Sequence, residues 1–141
     1  MNYARHAPSA AQLNDGRVLV VGFRYPFDPW YREADLYDPV SATFALTAAT
    51  ELSNASSATT LPDGTVLVTG SSPPAQVPGT GGFAERYDPG TATFRLEGPM
   101  RIPGLSYTGT YTATRLLTGE VLFIHAAPSD GTSTSSAELF R

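Results

Sequence analysis

Three short apolar runs punctuate the chain: Val18-Leu19-Val20-Val21, Val66-Leu67-Val68 and Val121-Leu122-Phe123-Ile124. They are rich in β-branched residues and far shorter than an amphipathic helix, so each predicts a strand buried on both faces. Asp15-Gly16, Asp63-Gly64 and Thr118-Gly119 stand just ahead of these runs, with another apolar or small-residue segment before them. Glycine accepts the positive φ that a tight turn needs, so each pair predicts a hairpin. Further on, Tyr37-Asp38-Pro39 and Tyr87-Asp88-Pro89 predict the end of a third strand, because proline has no amide hydrogen to give to a ladder. Phe44 and Phe94 then fall on a short fourth strand.

These signals recur in a fixed order. Ser9 to Gly22 aligns with Ser57 to Gly70 and with Tyr111 to His125, and Ala34-Asp35-Leu36-Tyr37-Asp38-Pro39 aligns with Ala84-Glu85-Arg86-Tyr87-Asp88-Pro89 and with Ala137-Glu138-Leu139-Phe140. Gly16 and Gly64 are 48 positions apart and Gly64 and Gly119 are 55 apart, the excess lying around Pro99 to Thr110. A period in this range is the mark of a repeat architecture. The chain therefore divides into units 1–48, 49–98 and 99–141, each of four short antiparallel strands, the last lacking its outer strand. Such a unit has an apolar side toward each neighbour and is stable only when stacked on copies of itself.

Leu61-Pro62-Asp63-Gly64-Thr65-Val66-Leu67-Val68-Thr69-Gly70, followed by Tyr87-Asp88-Pro89, resembles the repeats of kelch-type, galactose-oxidase-like β-propellers, and the resemblance runs from about Arg5 to Arg141. It implies an all-β fold of three propeller blades. Two departures stand out. The paired glycines that kelch repeats place after the second strand are reduced to Gly22-Phe23, Gly70-Ser71 and His125-Ala126, so the third unit must bend its backbone differently. Phe44 and Phe94 replace the tryptophan often found on the fourth strand. Three blades fall short of the four to eight that close a ring. The expectation is either a piece of a longer propeller or two copies joined head to tail into a six-bladed ring.

Composition narrows the chemistry. Thirteen glycines and twelve prolines suit frequent turns, and the net charge of −4, with all nine basic residues arginine, offers no stripe for nucleic acid. The apolar runs are too short to span a bilayer. There is no cysteine, which removes disulfides and thiolate metal sites. The copper site of kelch-like radical oxidases uses two tyrosines, two histidines and a cysteine bonded to one tyrosine; here there are only His6 and His125, in non-equivalent positions, so no metal or cofactor is expected. His6, in Ala4-Arg5-His6, is expected to pack. No Gly-x-Ser-x-Gly elbow or paired acidic signature points to catalysis, and Asp15, Asp38, Asp63 and Asp88 recur as turn formers.

What does not repeat is the connection between second and third strands: 23–33, 71–83 and 126–136. The first holds Phe23, Arg24, Tyr25, Phe27, Trp30, Tyr31 and Arg32, the residue types of binding hot spots. Arg101 and Tyr107, from the segment joining the second and third units, and His125, where a glycine is expected, complete the candidate contact set. The resemblance implies that such loops line a ligand face. The expected function is a non-catalytic scaffold binding protein or glycan, with no catalytic, cofactor or metal residue; the alternative is a part of a larger galactose-oxidase-like or sialic-acid-processing enzyme whose catalytic residues lie on other blades.

Overall fold

A computed structural model of the chain describes residues 1–24, 32–52, 55–71, 82–100, 110–126 and 135–141. Among them there is no helix. Eleven strands make three antiparallel sheets, each in simple up-and-down order. Sheet 1 holds β1 (Arg5–Gln12), β2 (Val18–Arg24), β3 (Glu33–Asp38) and β4 (Thr43–Ala49). Sheet 2 holds β5 (Ala55–Thr60), β6 (Val66–Ser71), β7 (Gly82–Asp88) and β8 (Thr93–Pro99), and sheet 3 holds β9 (Thr110–Arg115), β10 (Val121–Ala126) and β11 (Ser135–Phe140).

The first hairpin of every sheet closes the same way. Gly16 N donates to Leu13 O at 3.0 Å, Leu13 N donates to Arg17 O at 2.8 Å, and Gly16 has φ +89°. This is a three-residue loop, a type I turn followed by a left-handed glycine, rather than a two-residue Asp-Gly turn. The same bonds recur at Leu61-Gly64-Thr65 and Leu116-Gly119-Glu120. The aspartates hold their turns as expected. Asp15 Oδ1 accepts from Arg17 N, Asp63 Oδ1 from Thr65 N, Asp38 Oδ1 from Val40 N and Asp88 Oδ1 from Gly90 N, at 2.8–3.0 Å. In the β3–β4 and β7–β8 turns the left-handed position falls on Ala42 and Ala92, both at φ +54°.

Sheets 1 and 2 each carry an irregularity between their first two strands, at His6/Ser9 and at Ala55/Ser57. Opposite the first of these, Gly22 at φ +140° passes so close to β1 that a Cβ would lie 3.1 Å from Pro8 Cα. His125 occupies the corresponding place in sheet 3, and there the β9–β10–β11 ladder runs in unbroken register.

The sheets stack face to face. They approach most closely along their first strands β1, β5 and β9 and touch only lightly between β4 and β8, so the layers are wedged rather than parallel. Between sheets 1 and 2 lie Leu19, Val21 and Ala34 from one side and Val66, Val68, Phe83 and Tyr87 from the other. Between sheets 2 and 3 lie Leu61, Leu67 and Ala84 against Val121 and Phe123, with Met100, Ala113 and Phe140 at the margin. All six residues of β6 are buried, as expected of a strand walled on both faces. Tyr87 shares a hydrogen bond with Thr47 of the neighbouring sheet at 3.1 Å and rests its ring on Phe94 at 4.9 Å; Tyr37 rests on Phe44 in the same way at 4.8 Å.

Candidate functional site

Up-and-down topology sends alternate connections to opposite ends of the sheets. The Asp-Gly and Asp-Pro turns share one end. Arg24, Glu33, Ser71, Gly82, Ala126 and Ser135, the strand residues that flank the non-repeating connections, are all at the other. Among the predicted contact residues, Phe23 and Arg24 close β2 opposite His6 and Arg5, and His125 lies near the end of β10 between Tyr111 and Ser136. Arg32 enters β3. Tyr25, Trp30, Tyr31, Arg101 and Tyr107 lie outside the described residues, as does Phe27.

Two buried polar clusters sit toward that end, and both are built on one repeated position. Asp35 on β3 and Glu85 on β7 are equivalent, and each has no exposed surface. In sheet 1 the acid is fully answered. Asp35 Oδ2 accepts from Arg5 Nε at 2.9 Å and Nη2 at 2.7 Å, while Oδ1 accepts from Asn2 Nδ2 at 2.8 Å. Arg5 also donates to the carbonyls of Gly22 at 2.9 Å and Glu33 at 2.6 Å, which ties β1 to the end of β2 and the start of β3. Burial pushes the Asp35 carboxyl up, but the hydrogen bonds from Arg5 and Asn2 outweigh it and hold the group below the ordinary aspartate range.

In sheet 2 the answer is partial. Thr50 and the amide of Glu51, on the segment leading into β5, bond Glu85, the amide to its Oε1, much as Asn2 bonds Asp35. Glu85 Oε2 is buried with no partner. Arg32, just ahead of β3, is the nearby cation; its Nη1 donates to Glu51 O at 2.9 Å and its Nε is likewise buried without a partner. Burial therefore dominates, and with the charge of Glu51 beside it the Glu85 carboxyl is pushed above the usual glutamate range. Arg32, one of the predicted contact residues, is thus partly spent on internal structure.

At the turn end, Leu13, Asn14, Asp15, Asp63, Gly64, Thr65 and the Asp88-Pro89-Gly90 corner enclose a shallow cleft of about 270 Å³. Its three carboxylates are already engaged by turn amides and lie near their own backbones. Among the described residues no cluster of histidine and acidic side chains is set to hold a metal ion.

The Arg5–Asp35 and Glu85 clusters were not anticipated from the sequence. The sequence carries one sign of them, in that Asp35, Glu85 and Glu138 recur at one position of the third strand.

No family model matches the chain, and no curated protein matches it. Among solved structures it is similar to a protein of unknown function from Dyadobacter fermentans DSM 18053, with a TM-score of 0.56 and 16% sequence identity. The match takes in 97% of this chain and 50% of that one, so the chain spans about half the length of that protein, and at this identity the likeness is one of fold.

Proposed function

We propose that the three sheets are successive blades of a kelch-like β-propeller and that the chain serves as a non-catalytic scaffold, binding protein or carbohydrate through the connections at one end of the blades. The observation that carries this is the contrast between the two ends. The turns at one end repeat almost residue for residue, whereas the segments flanked by Arg24 and Glu33, Ser71 and Gly82, and Ala126 and Ser135 share no pattern. Variable connections on a repeated frame are where binding specificity is placed in such folds. The wedged stacking, tight along β1, β5 and β9, supports a radial arrangement with those strands innermost.

The connection holding Tyr25, Trp30 and Tyr31 is the principal contact. A glycan array and a protein array would identify a ligand, and Trp30→Ala with Tyr31→Ala would then weaken its binding roughly tenfold or more at unchanged melting temperature. Binding unaffected by both substitutions overturns the assignment of this connection.

A further inference from the structure

The two outer faces of the stack carry the two halves of an interface that the chain already makes twice within itself. Three kinds of contact repeat between neighbouring sheets. At the end of the first strand, Thr60 Oγ1 donates to Gln12 O at 2.6 Å and Arg115 Nη1 donates to Thr60 O at 3.3 Å; the same rung of each sheet reaches back to the backbone of the preceding one. At the turn tips, Asn14 lies over Gly64 and Pro62 over Gly119, each so close that a Cβ on the glycine would meet it, at 2.6 and 3.2 Å. Between the sheet faces, Leu19 and Val21 pack on the side holding Val66 and Val68, and Leu67 packs on the side holding Val121.

The outer faces continue each series by one step. Gln12 occupies the same rung as Thr60 and Arg115, is exposed, and carries a donor amide. Gly16 occupies the place of Gly64 and Gly119 and has nothing within 4 Å of a Cβ built on it, while Leu117, in the place of Asn14 and Pro62, is fully exposed. Val18, Val20, Tyr37 and Leu46 on sheet 1 correspond to Val66, Val68, Tyr87 and Leu96, and Leu46 is 46% exposed. Leu122, Ile124 and Leu139 on sheet 3 correspond to Leu19, Val21 and Leu36; Ile124 is 45% exposed where Val21 is shut off completely.

We infer that sheet 3 of one copy docks on sheet 1 of a second copy in the register of the internal interfaces, and that two such contacts close a six-sheet ring with two-fold symmetry. Leu117 then covers the partner's Gly16, the partner's Gln12 donates to Arg115 O, and Leu122 and Ile124 pack against the partner's Val18 and Val20. The pairing rests on the stacked-blade reading, and the test below separates the two.

Sedimentation equilibrium of the chain is expected to give twice its 14.9 kDa. Val20→Arg on one face and Ile124→Arg on the other each alter both contacts of the ring, so each variant alone is expected to sediment as a monomer. Mixed in equal amounts they retain one unaltered contact and re-form a one-to-one pair. Circular dichroism checks that each variant is folded, and Leu117→Arg with Gln12→Ala, both at exposed positions, weakens the pair without entering the core. A monomeric wild-type chain, a pair that survives both arginine variants, loss with one variant but not the other, or a ladder of larger species would each overturn the closed head-to-tail ring. Blade stacking itself is probed in the monomeric variant, where Leu67→Ala is expected to lower the melting temperature by several degrees whatever the oligomeric state.

Discussion

Arg5 Nη2 lies 2.7 Å from Asp35 Oδ2, with 3% of one side chain and none of the other open to solvent. An ion pair so enclosed depends on both partners, because the survivor of a single substitution is left charged and dry. Asp35→Ala is expected to cost about 3–5 kcal/mol in urea unfolding, and Arg5→Met combined with Asp35→Leu to recover part of that loss. The acid side of the pair sets a pH dependence as well. Asp35 titrates lower in the folded chain than in the unfolded one, so its contribution is complete above the ordinary aspartate range and is lost as pH falls through the folded value.

Glu85 works in the opposite sense. Its carboxyl is raised by burial, so the folded chain holds a proton that the unfolded chain has released, and stability falls as pH rises from the ordinary glutamate value toward the folded one. Glu85→Gln keeps the shape and removes the titration. It is expected to leave the melting temperature near pH 4 almost unchanged and to raise it near pH 8. Equal effects at both pH values would show that the fold does not raise the carboxyl above its unfolded value.

Ala42 and Ala92 hold a left-handed backbone that costs an ordinary residue about 1–2 kcal/mol. Glycine removes that strain but adds freedom to the unfolded chain, worth about 0.4–1 kcal/mol the other way. Ala42→Gly and Ala92→Gly are each expected to stabilise by about 0.5–1 kcal/mol. Lying in different sheets with no shared partner, they are expected to add, which a four-point set of urea midpoints would check.

Tyr87 joins sheets 1 and 2 through a buried ring and a hydroxyl shared with Thr47. Tyr87→Phe removes the hydroxyl alone and is expected to cost about 0.5–1.5 kcal/mol, whereas Tyr87→Ala opens a cavity and costs about 3–5 kcal/mol. Calorimetry on the two variants separates the hydrogen bond from the packing.

The strands and turns were legible because each is dictated locally. A run such as Val66-Leu67-Val68 has no polar residue to present to water, and Asp63 beside Gly64 has no better use than to bend the chain. What stayed hidden depends on distance in sequence. Arg5 reaches Asp35 across 30 residues, and nothing near Arg5 distinguishes it from a surface arginine. Glu85 reads as one more polar residue of a strand until the sheet beside it is known to shut out water. The contact set drawn from composition remains scattered in what the structure describes, with Phe23, Arg24 and His125 at strand ends and Arg32 turned toward Glu51.

The position of β6, enclosed by a sheet on either side, orders how the molecule comes apart. Local opening needs fewest broken contacts at the loosely packed edges of the outer layers, so amide protons of β4 and β11 should exchange with heavy water first. Those of Val66 to Val68 should persist until the whole chain opens, timing the rupture of the assembly rather than the fraying of any one layer.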